Sequence, residues 1–204
     1  MRRLVFLGII CFLLSSPSLA ISGSDSSLVI HWTGNLNVFL GTKHLDEYDW
    51  EPVEKQDEFG IKFDFKQQLW SLSIAIDYLS SSGEEPMLIY DPYLGSVEFD
   101  IEGKTSELNL GVRKIWDQSP RARPFIGGGI CAMNAEYKGT ALGITVSDSD
   151  KAIGFWFGAG IYWTLGDHFN IGLEALYSKA EVTVFGVEAE AGGEHLGALA
   201  GYRW

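Results

Sequence analysis

The stretch Leu196-Gly-Ala-Leu-Ala-Gly-Tyr-Arg-Trp204 decides the fold. Leu196, Ala198, Ala200, Tyr202 and Trp204 share one parity, while Gly197, Gly201 and Arg203 take the other. Successive side chains of a strand point to opposite faces, so this segment predicts a strand with one apolar face, closed by an aromatic residue. The same two-residue period runs back through the chain. Leu36, Val38 and Leu40 stand against Asn35, Asn37 and Gly41 in a first strand over about Leu28–Lys43. Phe59, Ile61, Phe63 and Phe65 alternate with Gly60, Lys62, Asp64 and Lys66, and Trp70, Leu72, Ile74, Ile76 and Tyr78 with Ser71, Ser73, Ala75 and Asp77. Leu108, Leu110 and Val112 alternate with Glu107, Asn109, Gly111 and Arg113. A weaker strand near Pro124–Tyr137 is blurred by Gly127-Gly-Gly129, and two more span Phe155–Trp163 and Phe169–Tyr177.

The connections between these strands alternate in length. Gln67-Gln68, Asp117–Arg121 and Gly166–His168 are short, whereas 44–57, 80–104, 138–151 and 179–193 are long and acidic. Long and short gaps joining about eight strands predict an all-β fold, an antiparallel up-and-down transmembrane β-barrel with extracellular loops and periplasmic turns. Parts of the long segments extend the strands, and Phe185-Gly186 reads as a hairpin tip between Val182/Val184 and Val187/Ala189. With both termini in the periplasm, each strand's periplasmic end supplies an aromatic residue: Trp32, Phe65, Trp70, Trp116, Phe125, Trp163, Phe169 and Trp204. Phe59, Tyr78, Tyr137, Phe155 and Tyr177 mark the opposite rim. Aromatic rings favour the headgroup region, and a soluble barrel would place them in its core.

Residues 1–20 read as a cleavable signal peptide, with Arg2-Arg3, an apolar run Leu4–Leu14 and the small-x-small site Ser18-Leu19-Ala20. The domain reading is signal peptide 1–20, a short segment 21–27 and a barrel over 28–204, placed in the outer membrane after export. Cys11 leaves with the signal, so Cys131 has no disulfide partner. Without Arg2 and Arg3, 13 Lys and Arg face 27 Asp and Glu, a balance of −14 with no basic patch, which excludes nucleic acid as a partner.

Pro124-Phe-Ile-Gly-Gly-Gly129, Gly158-Ala-Gly160 with Tyr162-Trp163, Asp167-His168-Phe169 and Gly201-Tyr-Arg-Trp204 give the chain a resemblance to a family. It resembles the small outer-membrane β-barrel superfamily of OmpA-, OmpX- and OmpW-like proteins. The resemblance implies fold and location rather than activity. It also implies that Trp204 acts as a recognition tag for the barrel-insertion machinery. Because the last strand ends at Trp204, no peptidoglycan-binding domain is expected after the barrel.

Lys62, Asp64, Asp77, Glu107, Arg113, Glu174 and Arg203 share the non-apolar face. Eight strands enclose a space that side chains fill, so these charges are expected to pair and close the lumen. No catalytic signature stands out. His168 in the Asp167-His168 turn reads as turn chemistry, and His195 as a structural partner of Glu174 or Glu194. Ser178 and His195, on neighbouring strands near the outer rim, keep open a lipid-modifying acyltransferase or deacylase. Asp46, Glu47, Asp49 and Glu51, and Asp148-Ser-Asp150, lack the spacing of a cation loop and read as solvated charge. The expectation is therefore a non-enzymatic, monomeric outer-membrane barrel with a structural, surface-contact or minor solute-passage role. Its partners are membrane lipids and the insertion machinery; no catalytic, cofactor or metal residues are assigned. The alternative is the lipid-modifying enzyme.

Overall fold

The computed structural model describes residues 31–91, 95–117 and 122–204. The signal peptide, the segment 21–27, the start of the expected first strand at 28–30 and residues 118–121 of the second turn lie outside these. Eight staves form the wall: β1 (Trp32–His44), β2 (Lys55–Gln67), β3 (Ser73–Asp91), β4 (Gly95–Ile115), β5 (Ala122–Ala141), β6 (Ile144–Leu165), β7 (Phe169–Lys179) and β10 (Gly193–Arg203). Two short strands, β8 (Glu181–Val184) and β9 (Val187–Glu190), make a separate hairpin, and one turn of helix, α1, covers Glu47–Trp50. The ring runs β1-β10-β7-β6-β5-β4-β3-β2 and back to β1, with antiparallel pairing throughout.

The terminal stretch closes the ring. Leu36 lies opposite Tyr202 and Leu40 opposite Ala198. Trp204 N–H and C=O both bond to Gly34, at 3.1 and 3.2 Å, and its ring stacks on Phe63 at 5.6 Å across the seam.

The parity that the sequence predicts places the apolar face outside. Val38, Leu40, Ile61, Leu108, Leu110, Val112 and Leu173 are exposed, while Lys62, Asp64, Asp77, Glu107, Arg113 and Glu174 are buried. A soluble protein has the opposite arrangement. A continuous exposed apolar belt around a closed barrel needs acyl chains to cover it. Trp32, Trp70, Phe169, Tyr202 and Trp204 ring the end where β1 begins and β10 finishes, and Trp32 and Trp70 meet edge to face at 5.6 Å.

Three expectations change. The first connection is longer than Gln67-Gln68, since β3 starts only at Ser73 and Trp70 N–H turns back onto Gln67 C=O at 2.8 Å. Most of 80–104 and 138–151 is strand: β3 and β4 stay paired out to Asp91 opposite Gly95, and β5 and β6 out to Ala141 opposite Ile144. Phe125 does not face lipid. It is 1% exposed inside the barrel, stacked on Tyr162 at 4.5 Å, and the outward residues at that end of β5 are Pro124 and Ile126. Glycines make room for such large interior rings. A Cβ on Gly160 would lie 2.4 Å from the Phe125 ring, and one on Gly127 would lie 3.1 Å from the ring of buried Trp156. The Phe185-Gly186 tip is as expected, with left-handed φ values of 52° and 77° joining β8 to β9.

Candidate functional site

The inward residues of the staves build two ionic layers. In the lower one, Arg113 reaches Asp77 at 2.8 Å, Asp64 at 3.3 Å and Glu174 at 3.5 Å, and Lys62 reaches Glu174 at 2.9 Å and Asp77 at 3.3 Å. Asn35 donates to Asp64 at 2.7 Å, and the rings of Phe39 and Phe125 lie against Lys62 and Arg113 at 5.1 Å. In the upper layer, Lys43 Nζ donates to Glu107 at 2.5 Å, Thr105 Oγ1 at 2.9 Å and Ala191 C=O at 2.8 Å. His195 Nδ1 lies 2.8 Å from Glu58, and its Nε2 lies 2.9 Å from Ser178 Oγ and 3.5 Å from Glu107.

Five acids (Glu58, Asp64, Asp77, Glu107, Glu174) and four permanent cations (Lys43, Lys62, Arg113, Arg123) are buried here with His195. Buried charge is tolerated only when paired.

Above the upper layer the outer segments pack into a cap. Asp46 accepts from Tyr48 N–H at 2.9 Å and starts α1, which delivers Trp50 into the interior. Trp50 Nε1 donates to Glu190 C=O at 2.8 Å, and Asp49 accepts from Glu190 N–H at 2.8 Å. Leu45, Val53, Ile101, Met133, Ala135, Val182 and Ala191 are buried in the same cluster. The β8–β9 hairpin is fixed to β6 by two carboxylates: Asp150 accepts from Thr183 N–H at 2.8 Å and Asp148 from Phe185 N–H at 2.6 Å. The Thr183 and Lys151 backbone N–H groups hold the Asp150 carboxyl below its ordinary range. On the outer ribbon, Glu102 is lowered likewise by hydrogen bonds from Lys104 and Lys138. Asp46, Asp49, Asp148 and Asp150 are thus backbone acceptors rather than merely solvated charge.

Six of the seven charges expected on the inner face are buried there. Arg203 is not among them: at the end of β10 it emerges at the mouth, 3.8 Å from Asp117, where Lys66 and Arg123 converge as well. His195 pairs with Glu58 and Glu107 instead of Glu174 or Glu194, because Glu174 is held by Lys62 a layer below and Glu194 points outward. His168 serves the turn, its Nδ1 2.9 Å from Arg203 C=O and its ring stacked on Tyr202. Ser178 and His195 do come together, and Glu58 completes a serine-histidine-carboxylate line. Ser178 is nevertheless enclosed, and its Oγ also donates to Glu107 at 3.1 Å. Lys43, Glu58 and Arg123 were not singled out from the sequence, although each continues the inward parity of its strand. Trp50 carried no such signal. Among the described residues, no three His, Cys, Asp or Glu side chains are placed to hold a metal ion.

No family model matches the sequence, and no curated protein is detectably similar. Solved structures are. Ail, the attachment invasion locus protein of Yersinia pestis, solved with the heparin analogue sucrose octasulfate, superposes with a TM-score of 0.53 at 16% identity, over 85% of this chain and 99% of that one. The Neisserial surface protein NspA gives 0.47 at 12% identity over 84% and 94%, and OprG of Pseudomonas aeruginosa 0.47 at 11% over 85% and 94%. The fold is that of the small eight-stranded outer-membrane β-barrels, and the lipid-facing belt suits that membrane.

Proposed function

Taking an eight-stranded outer-membrane barrel as the premise, we propose that this protein is a closed, non-enzymatic surface barrel that presents a rigid acidic cap to cationic partners outside the cell. The observation that carries this reading is the separation of charge. Segments 45–57, 82–106, 134–152 and 179–194, at the loop end, carry 19 acidic residues and five lysines, a balance of −14. The rest of the chain after Arg3 holds eight acidic and eight basic residues. The whole surplus therefore stands outside the membrane, on ribbons whose ion pairs and packed cap fix their shape. Such a field attracts cations and repels polyanions. A sulfated ligand like the one held by Ail would meet the wrong sign here.

Paired ionic layers below a packed cap argue against solute passage, since eight strands leave a lumen that side chains fill. In this reading residues 1–20 are removed on export, Trp204 is the assembly tag, and the barrel works as a monomer. The test uses the protein in nanodiscs against immobilised polylysine and immobilised heparin. We expect salt-sensitive capture on polylysine alone; capture on heparin overturns the reading. Planar-bilayer recording should show no stable conductance.

A second reading, a lipid-modifying enzyme, has the Ser178-His195-Glu58 line in its favour. Its Oγ opens into the closed interior, away from the lipid that would be its substrate. Labelling of Ser178 by a fluorophosphonate probe would support it.

A further inference from the structure

The outer wall carries a groove of about 410 Å³ that the polar interior does not explain. It crosses β3, β4, β5 and β6 on the lipid-facing side, just where apolar residues give way to polar ones. One row of register neighbours, Tyr78, Leu108, Ala132 and Ile153, forms its apolar part. Ala132 supplies the depth, because its methyl group stands between larger side chains on both neighbouring strands. The next row towards the cap is Ser80, Ser106, Asn134 and Lys151, and three of these four line the groove. An apolar floor with hydrogen-bonding groups along one edge, at a volume inside the range of about 300–1,000 Å³ usual for ligand clefts, is the form of a specific site.

The charge around it selects the ligand. On an outer face balanced at −14, most lysines are engaged: Lys104 and Lys138 with Glu102, Lys179 with Glu190. Lys151 is exposed and has no ion pair among the described residues. It stands at the polar edge of the groove, beside Asn134 in the register. Glu136, one row higher, lies diagonal to it and bounds the site on the cap side. An anionic group seated here would gain the Lys151 ammonium plus the Asn134 amide and Ser106 hydroxyl as donors. Its apolar tail would lie over Ala132 between Leu108 and Ile153.

We propose that this groove is a binding site for one outer-leaflet lipid that carries a phosphate, with the phosphate at Lys151, Asn134 and Ser106 and an acyl chain over Ala132. The lipid would then be a fixed part of the barrel wall rather than exchanging solvent. It would also place a negative group beside a cation that has no ion pair among the described residues.

The test is native mass spectrometry of the intact barrel, exchanged from detergent into micelles doped with bis-phosphorylated lipid A, dephosphorylated lipid A or phosphatidylglycerol. One retained phosphorylated lipid is expected, with phosphatidylglycerol separating a requirement for phosphate from one for the sugar. Lys151→Glu should lower retention about fivefold, the usual worth of one basic residue at a membrane surface. Ala132→Trp should do the same by filling the groove. Ala198→Trp, an equal insertion on the lipid face of β10, is the control and should leave retention unchanged. All three variants must keep the shifted unboiled gel mobility of the folded barrel. Equal retention of the dephosphorylated lipid, or equal loss with Ala198→Trp, would show ordinary annular lipid and overturn the proposal.

Discussion

Arg113 shows most directly how single residues hold this molecule together. Its guanidinium serves Asp64, Asp77 and Glu174 at once, from a position with no solvent to replace it. Arg113→Ala would leave carboxylates in a low-dielectric interior, and stranding a buried charge costs about 3–5 kcal/mol. Lys62 still reaches Asp77 and Glu174, so the low end of that range is expected in denaturant refolding from detergent micelles. A variant as stable as the parent would mean that the lower layer is not an energetic unit. Leu173 makes the converse point on the lipid side. It is exposed in the middle of β7, and Leu173→Arg should cost roughly 2–4 kcal/mol in the same assay. A cost near zero would place that residue outside the bilayer. The parity of β1 and β2 reveals Lys43 and Glu58 to anyone who continues the alternation past Gly41 and Gly60. Trp50 is different: its burial depends on the hairpin 140 residues away that accepts its indole N–H, and no local pattern encodes so distant a contact.

Among the elements, the β8–β9 hairpin is the piece most separable from the wall. Its backbone is held by Asp148 and Asp150, both on the inward parity of β6 above the membrane. The Asp150 carboxyl is held below its ordinary range, so folding favours its ionised form. That contribution is present above the unfolded value near pH 3.9 and is lost as pH falls through the lower folded value. Protection of the Thr183 amide against exchange, relative to an unfolded chain at the same pH, should therefore persist through mildly acidic pH and fall only below the ordinary carboxylate range. Asp150→Ala should release the hairpin at neutral pH without shifting the melting of the barrel. Unchanged exchange at Thr183 would show that the carboxylate does not fix it. The β3–β4 and β5–β6 extensions were harder to read than the staves beneath them. Alternation betrays a strand when its two faces meet different media, and Glu84-Glu85-Pro86 on the ribbon has no apolar medium on either side. In the membrane the contrast is greatest, and there the pattern was plain.

For the whole molecule, Trp204 joins the last strand to the first. Deleting it removes the stacking on Phe63 and both backbone bonds to Gly34. Each such bond contributes about 1 kcal/mol, so the finished barrel should lose a minor part of its stability. The expected effect in cells is larger: unassembled chain in the periplasm, with refolding into detergent largely preserved. Normal surface levels of the truncated chain would overturn the proposed role of Trp204 as an assembly tag. The ring of staves was legible because closure needs only parity and turn length, whereas the cap, made of irregular segments meeting in space, was not. That cap also gives the molecule a direction in time. With the cap outside the cell, as proposed, a surface with a balance of −14 must be carried through an apolar layer before it can fold on the far side. Once α1 and the hairpin have packed over the staves, the return path demands unpacking the cap and desolvating the same charge again. Its orientation is then secured by a kinetic barrier, and the protein leaves the membrane only by being degraded or carried away with it.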